Sequence, residues 1–142
     1  SLVTMKRAFL ALLAGTVVNF LLGFLIYAFL LVDFMKENTR DFEGLMTEPG
    51  GAWPGYILSS VLFSAMIVFI LRRTRKVTAA AGFVVSAVVS FFIAVSFDVM
   101  FYYGMNLYTF SYLVTDVIAY TVMGAATGLV IGAILPRKGL PE

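Results

Sequence analysis

The chain contains neither cysteine nor histidine. Disulfides, thiolate metal sites, histidine general bases and haem ligation by either residue are therefore excluded by inventory. No cofactor and no metal centre is expected. Charge is scarce as well: 13% of the residues are charged and 61% are hydrophobic. A soluble domain carries about 25% charged and roughly 45–50% apolar residues. The excess is lipid-facing surface rather than a larger core, and what remains is too small for a separate soluble domain. No nucleic-acid partner is expected.

What is present is apolar sequence in long runs. A transmembrane helix needs about 20 apolar residues. Four stretches qualify, at residues 8–32, 53–71, 77–103 and 109–135. The first follows Lys6 and Arg7, as a signal peptide would. It is too long for a signal h-region, however, and ends at Asp33 without a small-residue cleavage site. It reads as a span. Pro54 is expected in the first turn of the second helix, and Pro136 is expected to stop the fourth. The fold class is an all-α bundle of four transmembrane helices in one domain covering 1–142, facing the lipid bilayer.

The charges orient the bundle. Lys6, Arg7, Arg72, Arg73, Arg75, Lys76, Arg137 and Lys138 fall on one side, and only Lys36 and Arg40 fall on the other. The positive-inside rule makes the first side cytoplasmic, with both termini there. The other side is acidic, with Asp33, Glu37, Asp41, Glu43 and Glu48 in the loop 33–52. Phe42, Leu45 and Met46 fall at helical spacing in that loop. They predict a short amphipathic helix on the membrane surface, ended by Pro49-Gly50-Gly51. Trp53, Tyr56, Tyr102, Tyr103, Tyr108 and Tyr112 read as an interface belt of aromatic anchors.

Residues four apart share one face of a helix. Span four carries Gly124, Gly128 and Gly132, continued outward by Tyr120, Asp116 and Tyr112. Span three carries Gly82, Ser86, Ser90 and Ala94, followed by Asp98. Span one carries Ala11, Gly15, Asn19 and Gly23, followed by Tyr27. Small residues let helices approach closely in lipid. Each stripe thus packs tightly in one half of the bilayer and turns polar in the other. Packing could be within one chain or between two, and a homodimer is a candidate assembly. A pattern of matches between spans one and three (Gly15 with Gly82, Phe24 with Phe91) and between spans two and four (Tyr56 with Tyr120, Ile67 with Ile131) suggests two parallel helical-hairpin repeats.

Asp98 and Asp116 are the sharpest chemical feature. An intramembrane carboxylate costs about 2.5–3.5 kcal/mol at the bilayer centre on insertion scales. No Lys or Arg lies inside a span to offset it. Each acid needs Lys36 or Arg40 from the loop, a tyrosine hydroxyl, Asn106, a bound cation, or a proton. The bland reading is that Asp116 sits near a helix start, favoured by the helix dipole, and that Asp98 lines a wet vestibule. Asn19 suits an interhelical hydrogen bond more readily than a ligand. Intramembrane aspartyl hydrolysis needs two carboxylates about 3 Å apart. Enzymes of that kind carry Tyr-Asp and Gly-x-Gly-Asp signatures, whereas the contexts here are Phe97-Asp98 and Thr115-Asp116. No enzymatic activity is expected.

Residues 15–38 (GTVVNFLLGFLIYAFLLVDFMKEN) resemble the first span of small four-span bacterial inner-membrane proteins of unknown function. Residues 116–134 (DVIAYTVMGAATGLVIGAI) resemble their last span. The resemblance implies topology and a bacterial inner membrane, and no activity comes with it. Small multidrug exporters have similar length and span number, but they rely on an acid in the middle of the first span, where this chain has Asn19.

Two functional expectations result. The first is binding or transport of a cation, or of a cationic or amphiphilic small molecule, in an outward-facing cavity. Its residues would be Asp98, Asp116, Tyr27, Tyr120, Asn106 and Asn19. The second is a structural or accessory membrane protein with no ligand of its own. Whether Asp98 and Asp116 face each other across a water-accessible cavity discriminates between them.

Overall fold

In the computed structural model of the protein, residues 2–75 and 77–135 are described. Lys76, Pro136, Arg137 and Lys138, which enter the charge and stop signals above, lie outside the described residues. Five α-helices and one π-helical segment follow in order: α1 (Leu2–Gly23), the π segment (Phe24–Leu30), α2 (Val32–Asn38), α3 (Pro49–Thr74), α4 (Ala79–Gly104) and α5 (Phe110–Ile134). Four helical runs are long and apolar enough to cross a membrane: Leu2–Leu30, Gly50–Thr74, Ala79–Gly104 and Phe110–Ile134. The protein is an all-α membrane bundle.

Local chemistry sets the helix ends. Thr78 caps α4 by accepting a 3.0 Å hydrogen bond from the Ala81 amide. Thr109 does the same for α5, from the Tyr112 amide at 3.2 Å. Each satisfies one of the orphan donors of a first helical turn. The tight turn between α3 and α4 opens with Arg75 in the left-handed region, at φ 58°.

Two expectations for the acidic loop are corrected. Residues 42–46 are not helical. They form a turn in which the Leu45 amide donates to the Phe42 carbonyl at 3.1 Å. Within that turn Gly44 adopts φ +77°, which interrupts any helical run. The loop's helical turns lie earlier, in α2, directly after the first span. Pro49-Gly50-Gly51 begins α3 rather than ending a surface helix. Proline's fixed φ suits a first helical turn, and its missing N–H is no loss there. Pro54 consequently falls inside α3, beyond the first turn.

Helix α5 is the hub. It packs along α4 and against α1, while α1 also carries α3. The glycine stripes meet inside the chain. A Cβ at Gly82 would strike the Gly128 carbonyl, and one at Gly132 would lie 3.2 Å from the Gly82 Cα. This is the close backbone approach that small residues permit in lipid. Below it lies a sealed cluster of Ala11, Phe63, Ile67, Leu71, Ile131 and Leu135, at the end of the bundle that holds the α3–α4 turn. At mid-bundle the Asn19 amide donates to the Thr127 hydroxyl at 3.3 Å, joining α1 to α5. At the opposite end, here the loop end, a second cluster joins Ala94, Leu113 and Val117 with Tyr102, Tyr108 and Tyr120. That cluster contains no residue of α3.

Candidate functional site

The site is built where three elements converge at the loop end. The face of α4 that carries Gly82, Ser86, Ser90 and Ala94 ends on Asp98, and all five residues are buried. The glycine face of α5 runs outward through Tyr120 to Asp116. Because the glycines hold α4 and α5 together, both stripes keep facing each other as they turn polar. The two carboxyl groups end up close enough to act on one another electrostatically.

The first span reaches the same point by an irregularity. From Phe24 to Leu30 the chain is wound as a π-helix, and the Leu31 amide donates to the Ile26 carbonyl five residues back, at 2.8 Å. A π segment shifts the register of the side chains that follow, and such segments recur at functional sites. Within it, the Tyr27 hydroxyl donates to the Asp116 Oδ1 at 2.8 Å.

The fourth contributor comes from the α4–α5 loop. The Tyr108 hydroxyl donates to the Asp98 backbone carbonyl at 2.8 Å and lies 3.5 Å from Asp98 Oδ1. Burial and the neighbouring Asp98 carboxyl push the Tyr108 phenol above its usual range. Tyr108 also stacks on Tyr112, with centroids 4.5 Å apart at 25°. Tyr112 is close enough to feel both acids.

Asp98 is only 8% exposed. Its Oδ2 is buried and has no hydrogen-bond partner among the described residues. The groups that act on it are Asp116 and Tyr108, and neither Lys36 nor Arg40 is among them. Two adjoining carboxyls away from water repel if both are ionised.

A clasp ties the two loops across this end. Thr39 and Tyr108 form an antiparallel bridge. The Arg40 amide donates to the Leu107 carbonyl at 2.7 Å, and the Thr109 amide to the Asn38 carbonyl at 3.0 Å. The Thr109 hydroxyl adds a 2.7 Å bond to Asn38 Oδ1. A surface cavity of about 240 Å³ lies along the clasp, lined by Glu37, Arg40, Asn106 and Tyr108 among others.

Of the residues expected at the site, Asp98, Asp116 and Tyr27 come together, with Tyr120 one turn farther along α5. Asn106 is exposed and lines the surface cavity instead. Asn19 is engaged with Thr127 at mid-bundle. It serves interhelical hydrogen bonding rather than the carboxyl pair. Tyr108 was read only as an interface anchor, and Tyr112 as an anchor that also continues the α5 stripe, without a place at the site. The four-residue spacing that put Tyr112 on the Tyr120–Asp116 stripe was the signal that could have assigned it to the site. Tyr108 sits in a loop, where no periodicity marks its direction.

Comparison with family models, curated proteins and solved structures finds no match for the chain. What the fold and site define is an integral membrane bundle with a carboxyl pair, Asp98 buried and Asp116 half-buried. Among the described residues, no group of three or more His, Cys, Asp or Glu is placed to hold a metal ion.

Proposed function

We propose that this chain is a small bacterial inner-membrane protein that binds, and carries across the membrane, a cation or a cationic amphiphilic small molecule. The carboxyl pair is its site, open toward the outer side, and both termini are cytoplasmic. The observation that carries this reading is the Asp98 carboxyl: buried, beside a second carboxyl and, among the described residues, unpartnered at Oδ2 with no cationic side chain acting on it. An intramembrane acid without an internal counter-ion calls for an external one. Tyrosine faces around it suit a cation by their ring quadrupoles. The site has the wrong sequence context for aspartyl hydrolysis, and we propose no catalysis.

A structural role is the second reading. It draws on the other end of the bundle, where Ala11, Ile67, Leu71, Ile131 and Leu135 are sealed from solvent. Transport requires that plug to open, whereas a packing protein needs it shut. The test is calorimetric titration of purified protein with monovalent inorganic and organic cations. Binding that Asp98→Asn and Asp116→Asn both remove supports the site. Unchanged melting temperature for wild type in every cation, together with no heat of binding, removes it and leaves the structural reading.

A further inference from the structure

The core stripe of α3 outlasts its partners. Ser60, Phe63, Ile67 and Leu71 recur at helical spacing and are all buried. One turn outward the same stripe reaches Tyr56, which is 56% exposed. From Gly50 to Ser59 no described side chain is buried. Meanwhile α4 and α5 remain packed as far as Asp98 and Leu113. The second hydrophobic cluster, which forms that half of the bundle, holds no α3 residue at all. In its outer turns α3 keeps one aromatic tie, from Trp53 to the Phe20 and Phe24 rings at 5.6 and 5.7 Å. It therefore stays with α1 and parts from α4 and α5.

An exposed outer stripe on α3 beside a packed α4–α5 pair leaves room for a lipid-facing cleft. Its floor is the edge-to-face pair of Phe63 and Tyr120, with centroids 6.1 Å apart. Tyr120 bridges the two hydrophobic clusters. One turn along the same face of α5 lies Asp116. The cleft is apolar at its mouth and acidic at its inner end.

Building on the function proposed above, we infer that the natural ligand is a lipophilic organic cation that reaches the carboxyl pair sideways, from the bilayer, through the cleft between α3 and α4. The charge at the inner end selects a cation. The absence of a third acidic ligand among the described residues disfavours a divalent metal, which takes several oxygen ligands. The tyrosine faces suit an ammonium group. The exposed stripe of α3, open to acyl chains, suits an alkyl tail. An amphiphile dissolved in the bilayer already has its tail at this depth, so lateral passage desolvates neither part of it twice.

The test compares two probes with the same headgroup, decyltrimethylammonium and tetramethylammonium, titrated into the protein in lipid nanodiscs, with empty nanodiscs as the blank. The decyl compound is expected to bind more tightly by roughly tenfold or more, from burial of its methylenes. Asp116→Asn should abolish binding of both. Tyr56→Ala, at an exposed position, should weaken the decyl compound by roughly three- to tenfold, the range of one lost cation–π or tail contact. It should leave tetramethylammonium unchanged. Tyr103→Ala, on the exposed face of α4, is the control. Equal affinity for the two probes, or indifference of the decyl compound to Tyr56→Ala, overturns the lateral cleft and leaves the carboxyl site standing. No binding of either probe, with inorganic monovalent cations also silent, overturns the carboxyl site itself. Light scattering in detergent covers the other occupant of this face: a dimer that Tyr56→Ala dissociates, with probe binding unaltered, also overturns the cleft.

Discussion

The hydroxyl of Tyr27 donates a 2.8 Å hydrogen bond to Asp116, joining the first span to the last across 89 residues of sequence. Tyr27 lies within the π-helical stretch from Phe24 to Leu30. It gives Asp116 a donor where the membrane offers no water, and it leaves Asp98 as the acid with an open oxygen.

Removing that donor should be measurable. Interhelical hydrogen bonds in membranes average about 0.6 kcal/mol and reach about 1.7. Tyr27→Phe should therefore destabilise the protein by roughly 0.5–2 kcal/mol in reversible unfolding in mixed micelles. A double-mutant cycle with Asp116→Asn isolates the pair. A coupling energy indistinguishable from zero would show that the two groups do not interact in the folded protein.

The glycines make opposite predictions at two positions. A Cβ at Gly128 would meet the Gly82 carbonyl and the Ser86 side chain, so Gly128→Ala should cost roughly 1–3 kcal/mol, as overpacking does. At Gly55 a Cβ would meet nothing within 4 Å. Gly55→Ala should stabilise, by about 0.5–1 kcal/mol from helix propensity alone. Melting temperatures of the two variants should move in opposite directions. A shift of the same sign and size in both would refute the backbone contact between α4 and α5.

Alkaline pH reports on Tyr108. Its phenol is held protonated by burial and by the adjacent Asp98 carboxyl. A group whose folded pKa is raised stabilises the fold below its unfolded value, near 10 for tyrosine, and loses that contribution as pH rises beyond it. Wild-type stability should therefore fall above about pH 10, and Tyr108→Phe should flatten part of that slope while lowering stability at neutral pH through the lost hydrogen bond. Identical alkaline slopes for the two proteins would count against the contact.

Orientation is tested by labelling. Cysteines introduced at Thr74 and Glu43 lie at opposite ends of the bundle and are both exposed. With the basic side inside, a membrane-impermeant thiol reagent should reach position 43 from outside and position 74 only after the cells are opened. Labelling of position 74 in intact cells would invert the topology.

Much of this protein was determined by the sequence alone. The scarcity of charge and the four apolar runs dictate membrane helices, since a backbone in lipid must satisfy its own hydrogen bonds. The four-residue spacing of Gly82 to Asp98 and of Gly132 to Tyr112 already places two acids on packing faces. Tertiary structure decided the rest. Periodicity says which residues share a face, but not which face meets which. Only the contact of Gly82 with Gly128 shows that the glycine stripes pack within one chain, and that contact is what brings Asp98 beside Asp116. Whereas Tyr27 was already marked by its place after Gly23 on the stripe of span one, the loop clasp that aims Tyr108 and the parting of α3 from α4 above Ser60 leave no periodic trace. They arise from how whole helices lean on one another, and no spacing of residues along one helix records that.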